Sequence, residues 1–490
     1  MSAAGKVRAF ARRPWGSVLV GAAAVAVVVG AGTLAAPTAT STPEVPVVEP
    51  VASAELLCPI TVATSALVST VSAGVAPVPG VDSEGTGRLA ALSATPDEAP
   101  KTIDGPGQVV TDRIEGDSAA PRTARATGSW AAGFGADQVA RSGEGATRGL
   151  AASPCARPIT DGWILGGAST VGRTTQILLV NDDDRAAQVD LLVYGPDGEV
   201  VSPAGSGVVV PPFARSVVRL SALAPDQKYT AIHVVARTGR IAVSALQTAA
   251  KGFTPLGMSV LPVTQAGRRV VIPDIPKVAS ARLLLLSPDG PAEATVRLVT
   301  RDGSITPVGL DALSLEQNQL RPLSLTAALA GDSAGVVVTA DVPVVAAVIV
   351  TTGTGSELRE GDVTAGTPAL TAPGIVTGLG LGTILHVVGI AAPGAATSVR
   401  LDVYVGGSST PAWTRTADVP AGSSMRVRVT VDKDGSLLVI TPLGKGPAYV
   451  TREVTERGPR GPLLALAPVL PTRATTTVPP VVQRPGSSLR

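Results

Sequence analysis

Beyond residue 155 the chain is written in short runs of alternating apolar and polar residues, broken by glycine and proline. In RVRVTVD (426–432) the valines face one way and arginine and threonine the other, as an antiparallel strand solvated on one face requires. Leu283–Leu286 is unbroken and reads as a central strand covered on both faces. Asp197-Gly198, Asp289-Gly290, Asp302-Gly303 and Asp434-Gly435 close such runs with dipeptides that accept positive φ in tight hairpins. The pattern predicts an all-β chain.

The runs also recur. VDLLVYGPDG, ATVRLVTRDG and SVRLDVYVGG align on Tyr194, Val299 and Tyr404, each 105 residues from the last. Aliphatic strands precede them from Ile177, Arg282 and Ile384, and strands ending at Ser221, Leu325 and Thr430 follow in step. Roughly six or seven short strands in about 105 positions is the strand density of an immunoglobulin-like sandwich. The expected organisation is three tandem sandwiches at 156–265, 266–370 and 371–470. The Ala/Pro/Ser/Thr-rich segment 37–155 reads as a stalk, with 84–148 mainly flexible and Ile60–Val71 strand-like, and 471–490 reads as a disordered tail.

Ahead of the stalk, Trp15–Ala36 is uncharged and apolar, and about 33 Å of helix suffices to span a bilayer core. Lys6, Arg8, Arg12 and Arg13 precede it, so the positive-inside rule keeps residues 1–14 cytoplasmic and exports the rest. A cleaved signal peptide, with Ala35, Ala36 and Ala39 near the cleavage site, is the alternative. The Arg12-Arg13 pair lacks the rest of a twin-arginine motif, and Cys58 follows Leu56-Leu57 rather than the small residues of a lipidation site. Prolines 37, 43, 46 and 50 favour an extended stalk start, where Thr38, Thr40, Ser41 and Thr42 stand either bare or O-glycosylated.

Composition narrows the function classes. A net charge of +2 with 16% charged residues leaves no broad basic face for nucleic acid, and 2% aromatics leaves few flat rings for a sugar cleft. Cys58 and Cys155 are the two cysteines, exported by the argument above; a disulfide between them is expected, with two free thiols as the alternative.

Four candidate sites stand against plainer readings. Gly167–Thr174 (GASTVGRT) resembles a phosphate loop, but Arg173 replaces the lysine and a strand follows instead of a helix, so no nucleotide is expected. Asn181, Asp182, Asp183 and Asp184 could hold calcium; a turn capped by its own side chains is the plainer account, and repeats two and three lack the acids. His233 and His386 lie in aliphatic runs of different repeats with no nucleophile or carboxylate nominated beside them. Packing explains Tyr194 and Tyr404, and Trp163 is expected as the large core residue of repeat one. No catalytic, cofactor-binding or metal-ligating residue is assigned; the disulfide pair Cys58 and Cys155 is the one assignment the residues support.

Cys155, Pro158, Trp163, Gly166-Gly167, the strand ending at Asn181 and the Val189 strand with its glycine turn resemble an actinobacterial family of membrane-anchored extracellular proteins of unknown function. The likeness runs from Cys58 to about Pro468, with Asp182 where a proline commonly follows the asparagine. It implies an N-terminal anchor, a variable stalk, β-rich repeats and a place in the cell envelope, and it brings no catalytic residue. The functional expectation is a non-enzymatic envelope spacer, scaffold or interaction module, with the membrane and an envelope protein or wall polymer as partners and no cofactor. The competing expectation is an envelope hydrolase or transferase with its site at a junction between repeats.

Overall fold

The computed structural model describes residues 47–59, 67–82, 84–94, 98–115, 120–143, 145, 147–353, 359–379, 382–389, 396–429, 435–444, 446–458 and 461–478. The expected membrane span, cytoplasmic N-terminus and glycosylated threonines lie outside these residues. No helix among the described residues is long and apolar enough to cross a membrane. The chain is mostly β, in antiparallel sheets.

Strand β1 (Val47–Pro50) opens the described chain. The first module follows with β2 (Ser53–Cys58), β3 (Leu67–Val75), β4 (Gly85–Ala91), β5 (Lys101–Ile103), β6 (Val109–Glu115), β7 (Arg122–Gly128), β8 (Phe134–Ser142) and β9 (Gly149–Pro154). The second holds β10 (Asp161–Gly167), β11 (Arg173–Asn181), β12 (Ala187–Gly195), β13 (Gly198–Val200), β14 (Val208–Val210), β15 (Ala214–Arg219), β16 (Thr230–Thr238), β17 (Ala242–Lys251), β18 (Thr254–Leu261) and β19 (Val263–Thr264). The third holds β20 (Gly267–Ile275), β21 (Ser280–Leu286), β22 (Ala292–Thr300), β23 (Gly303–Ile305), β24 (Leu313–Leu315), β25 (Arg321–Ser324), β26 (Ala334–Thr351) and β27 (Gly361–Ala365). The fourth holds β28 (Gly374–Val376), β29 (Gly382–Gly389), β30 (Thr397–Val405), β31 (Trp413–Val419), β32 (Ser423–Val429), β33 (Ser436–Pro442), β34 (Ala448–Gly458) and β35 (Gly461–Pro468). Strand β36 (Thr475–Val478) then pairs with β1.

Each module is the same pair of sheets. The first has sheet orders β2-β7-β4-β5 and β6-β3-β8-β9, and the fourth repeats them as β28-β33-β30-β31 and β32-β29-β34-β35. The second matches with β10-β16-β12-β13 and β15-β11-β17-β18. In the third, β26 does the work of two strands. Its first half pairs β20 and β22 and its second half pairs β21 and β27, and the switch falls at Pro343, which has no N–H for a ladder.

Two expectations are corrected here. Residues 53–154 are a fourth copy of the repeat and not a stalk, and 471–478 end in a paired strand rather than a disordered tail. The first module escapes notice because much of its core is built from small residues, among them Ala73, Ala124, Ala126 and Ala136, whose composition reads as loop. Trp130 and Phe134 supply its larger apolar groups.

The Cys58–Cys155 disulfide is present, with Cα atoms 4.5 Å apart, and it lies in the first module's core. It joins β2 to the segment just after β9, where Leu57 and Ala156 exchange backbone hydrogen bonds of 2.8 and 2.7 Å. Replacing both cysteines by serine should cost about 2–4 kcal/mol, because those bonds hold the ends of the loop even without the bridge. Chemical denaturation with and without reductant measures the difference.

Candidate functional site

The modules close on themselves. In every one, the outer face of the β2-β7-β4-β5-type sheet packs on the β6-β3-β8-β9-type sheet of the next module. Leu57 and Leu92 of the first meet Val180 and Ala242 of the second. Leu284, Leu286 and Ala347 of the third belong to one apolar cluster with Trp163 and Tyr194 of the second. Val271, Val299 and Val337 of the third meet Val388 and Tyr449 of the fourth, and Ile375 and Tyr404 of the fourth meet Ala76 and Val109 of the first. Four head-to-tail contacts that return to their start make a ring, the intrachain counterpart of a heterologous cyclic oligomer.

The last strands of the modules, β9, β18, β27 and β35, converge at the centre, each touching the next. Each carries a glycine at the meeting point: Gly149, Gly257, Gly361 and Gly461. A Cβ on Gly149 would lie 2.4 Å from the Met258 nitrogen, and one on Gly257 would lie 2.7 Å from the Gly361 nitrogen. At 149 and 257 only glycine lets the backbones approach. Gly149→Ala should therefore destabilise the ring by about 3 kcal/mol, the upper end of overpacking costs, whereas Gly290→Ala, with open space around it, should cost far less. Comparing the two thermal midpoints checks this.

Beside the glycines sits the candidate site, a charge cluster to which all four modules contribute. Arg148 is 1% and Glu360 0% exposed, with Arg148 Nη1 donating to Glu360 Oε2 at 3.2 Å. Arg148 Nη2 also donates to the carbonyls of Gly461 at 2.9 Å and Pro462 at 3.4 Å. Glu360 Oε1 accepts the Leu150 N–H at 3.2 Å, and the Met258 N–H also bonds the carboxylate. Burial pushes the Glu360 carboxyl up to about 7, against the pull of these N–H groups and of Arg148. Asp362, also raised by burial, accepts the N–H groups of Val363 and Leu466, and Ser259 Oγ donates to the Gly361 carbonyl at 2.8 Å. The oxygens and nitrogens of the centre are spent on the backbones they join.

Two further polar clusters pin individual junctions. Between fourth and first modules, Asp137 Oδ2 accepts the Thr377 N–H at 2.6 Å and its hydroxyl at 3.1 Å, and the buried Arg452 donates to the carbonyls of Thr377 and Gly378. Burial raises Asp137 to about 6. Between first and second, Arg125 pairs with Glu55 and, at 3.0 Å, with Asp182, while Arg240 lies 3.2 Å from both Glu55 and Asp183. Burial, and then the neighbouring Asp182, push Glu55 up to about 7.

Asp182 and Asp183 of the candidate calcium loop are thus engaged with arginines. Asn181 is a staple for its own turn, donating to the carbonyls of Arg185, Val210 and Pro211 and accepting the Asp183 N–H. His233 bonds Asp161 at 2.7 Å and stacks on Trp163 with 4.2 Å between ring centroids. The side chain of His386 lies outside the described residues. Trp163 needs a correction: it lies on the face of its sheet shared with His233 and Leu192, opposite to Ile164, Ile232 and Val193, so it fills the junction with the third module and not the space between the two sheets of its own module. The Gly167–Thr174 segment runs from the end of β10 through a turn into β11, as a phosphate site would not.

Sequence reasoning missed Arg148, Glu360, Asp362 and the four glycines. The signal was there, a glycine near the start of each final strand at spacings of about one repeat, but it is visible only when residues 53–154 are counted as a repeat.

No curated protein matches the chain. Among solved structures, an alpha-L-rhamnosidase of Streptomyces avermitilis complexed with L-rhamnose aligns with 85% of this chain and 57% of its own, at 10% identity and a TM-score of 0.13. The chain thus spans little more than half of that enzyme, and so slight a likeness carries no argument. The family of unknown function DUF5719 matches residues 110–430, from within the first module into the fourth. That match covers well over half of the chain, and the protein belongs to this family.

Proposed function

We propose that this chain is a non-enzymatic, membrane-anchored extracellular protein of the cell envelope, a rigid spacer or scaffold that presents a folded surface to an envelope protein or wall polymer. Trp15–Ala36 is its single anchor, with residues 1–14 cytoplasmic, and its repeated unit is an immunoglobulin-like sandwich. The observation that carries the reading is the centre of the ring: its carboxylates and its arginine are buried and each is held by backbone groups of other modules, so they fasten the modules together. Catalytic carboxylates need access to substrate and to water.

An envelope hydrolase or transferase is the second reading, and a cleft of about 450 Å³ between third and fourth modules is what favours it. The one carboxylate among the described residues that line it, Glu453, is ion-paired to Arg426 at 2.7 Å, where glycoside hydrolysis by the common route uses two. Incubating the full chain with purified envelope polymer and assaying new reducing ends separates the readings. No release above a heat-denatured control supports the scaffold; sustained release contradicts it. Protease treatment of intact cells tests the topology, with loss of the C-terminal bulk expected and its protection opposed.

A further inference from the structure

We propose that one tip of the second module docks on an anionic lipid surface, giving the protein a bilayer contact separate from any N-terminal anchor. The tip is built from the turn Thr170–Gly172 and the hairpin end Gly252-Phe253 between β17 and β18. Arg173 N–H bonds the Thr170 carbonyl at 2.9 Å, and Ala250 N–H bonds the Gly172 carbonyl at 2.7 Å, so the two turns are locked side by side. Gly172 (φ +79°) has no room for a Cβ, which would fall 2.2 Å from the Ala250 carbonyl oxygen. At the summit Val171 is 101% and Phe253 102% exposed. Folding gains nothing from either side chain there. Single exposed apolar residues are ordinary, but two on adjoining rigid turns form a projection that an interface can bury.

Cations surround that projection. Arg173 and Lys251 flank the two turns, and with Arg359 they line a cleft of about 420 Å³ that opens beside them. All three are exposed, and among the described residues none of them is in an ion pair. The acid in the cleft wall, Asp362, is 2% exposed and committed to backbone N–H groups. A headgroup phosphate suits the cleft and a bilayer's acyl boundary suits Val171 and Phe253, the combination by which basic, apolar-tipped surfaces hold anionic membranes. A soluble anionic polymer would use the cations and leave the apolar tips in water, so the lipid is the better occupant.

The test uses the full chain with Thr254→Cys, whose thiol is the one left free by the Cys58–Cys155 disulfide, labelled with an environment-sensitive fluorophore. The labelled protein is combined by detergent removal with vesicles of phosphatidylcholine alone or mixed with phosphatidylglycerol, both carrying a spin-labelled quencher lipid. Blue-shifted, quenched emission is expected in the phosphatidylglycerol vesicles only. Val171→Ser with Phe253→Ser should abolish it, and Arg173→Glu with Lys251→Glu should weaken it about tenfold or more, with unchanged melting of the fold. Equal emission in both vesicle types, or a response that survives the serine pair, overturns the proposal. The same spectral shift produced by soluble polyphosphate without vesicles overturns it in favour of a polymer site. Flotation of the protein with phosphatidylcholine vesicles reports the N-terminal anchor separately, so failure of one contact is not mistaken for failure of the other.

Discussion

Arg148→Ala lowers the stability of the ring by about 5 kcal/mol, in our expectation, and Glu360→Ala does nearly as much. At about pH 8, where Glu360 is ionised in the folded ring, breaking this buried ion pair from one side costs about 3–5 kcal/mol because the remaining charge is left uncompensated in a dry interior. Removing Arg148 also strands the carbonyls of Gly461 and Pro462, at the expense of unmade buried hydrogen bonds. Arg148→Lys does not rescue, since one ammonium cannot reproduce a guanidinium fork that points at Glu360 and at two carbonyls of the fourth module. The double replacement Arg148→Met with Glu360→Leu should cost less than either alanine variant, because it removes both charges together. Denaturant midpoints of the four proteins test the coupling. Simple additivity of the two single changes would contradict a shared cluster.

The second large effect is on pH. Burial holds Glu360 up to about 7 and Asp137 up to about 6, so in the folded ring both keep their protons at pH values where the unfolded chain has released them. Between about pH 4.5 and 7 the folded state therefore binds more protons, and stability falls as pH rises through that window. The contribution is complete below the unfolded values and is lost on passing the folded ones. For Glu360 alone the change from 4.5 to about 7 corresponds to about 3 kcal/mol, and Asp137 adds a similar amount. Asp112 works in the other direction: despite its burial, Lys101 and Arg122 hold it below 3.8, so its contribution is lost only in stronger acid. The highest thermal midpoint is expected near pH 4 to 5, falling towards pH 7.5, and Glu360→Gln should flatten the upper part of the curve. A midpoint that rises from pH 5 to 7.5 would contradict this account of the centre.

How much was legible follows from which surfaces each side chain serves. Strands and their period could be read because Tyr194, Val299 and Tyr404 recur at one register, and the two cysteines left a single pairing. The run Leu283–Leu286 was legible as doubly covered, but not what covers it: Leu283 and Leu285 fill the core of their own module while Leu284 and Leu286 pack on the second module. Closure of the ring depends on such outward residues meeting partners several hundred positions away, as Tyr404 meets Ala76, and no local pattern encodes that. Periodicity also could not show that Trp163 points outward, because in a strand covered on both faces either direction is apolar. The buried Arg148 and Glu360 read as ordinary surface charges in a Gly-rich segment, since their partners are mostly backbone groups of other modules.

Closure of the fourth module on the first can be read from a cross-link between them. The Cβ of a residue at 407 would stand 3.9 Å from the Cβ of Gln108, close to the separation a disulfide requires. Gln108 belongs to the first module and Gly407 to the loop after β30 of the fourth. In the double variant Gln108→Cys with Gly407→Cys, mild oxidation of dilute protein followed by mass spectrometry of non-reduced digests should recover a second intramolecular disulfide beside Cys58–Cys155. Recovery of both introduced cysteines as free thiols, with the native disulfide intact, would mean that the modules do not close into a ring.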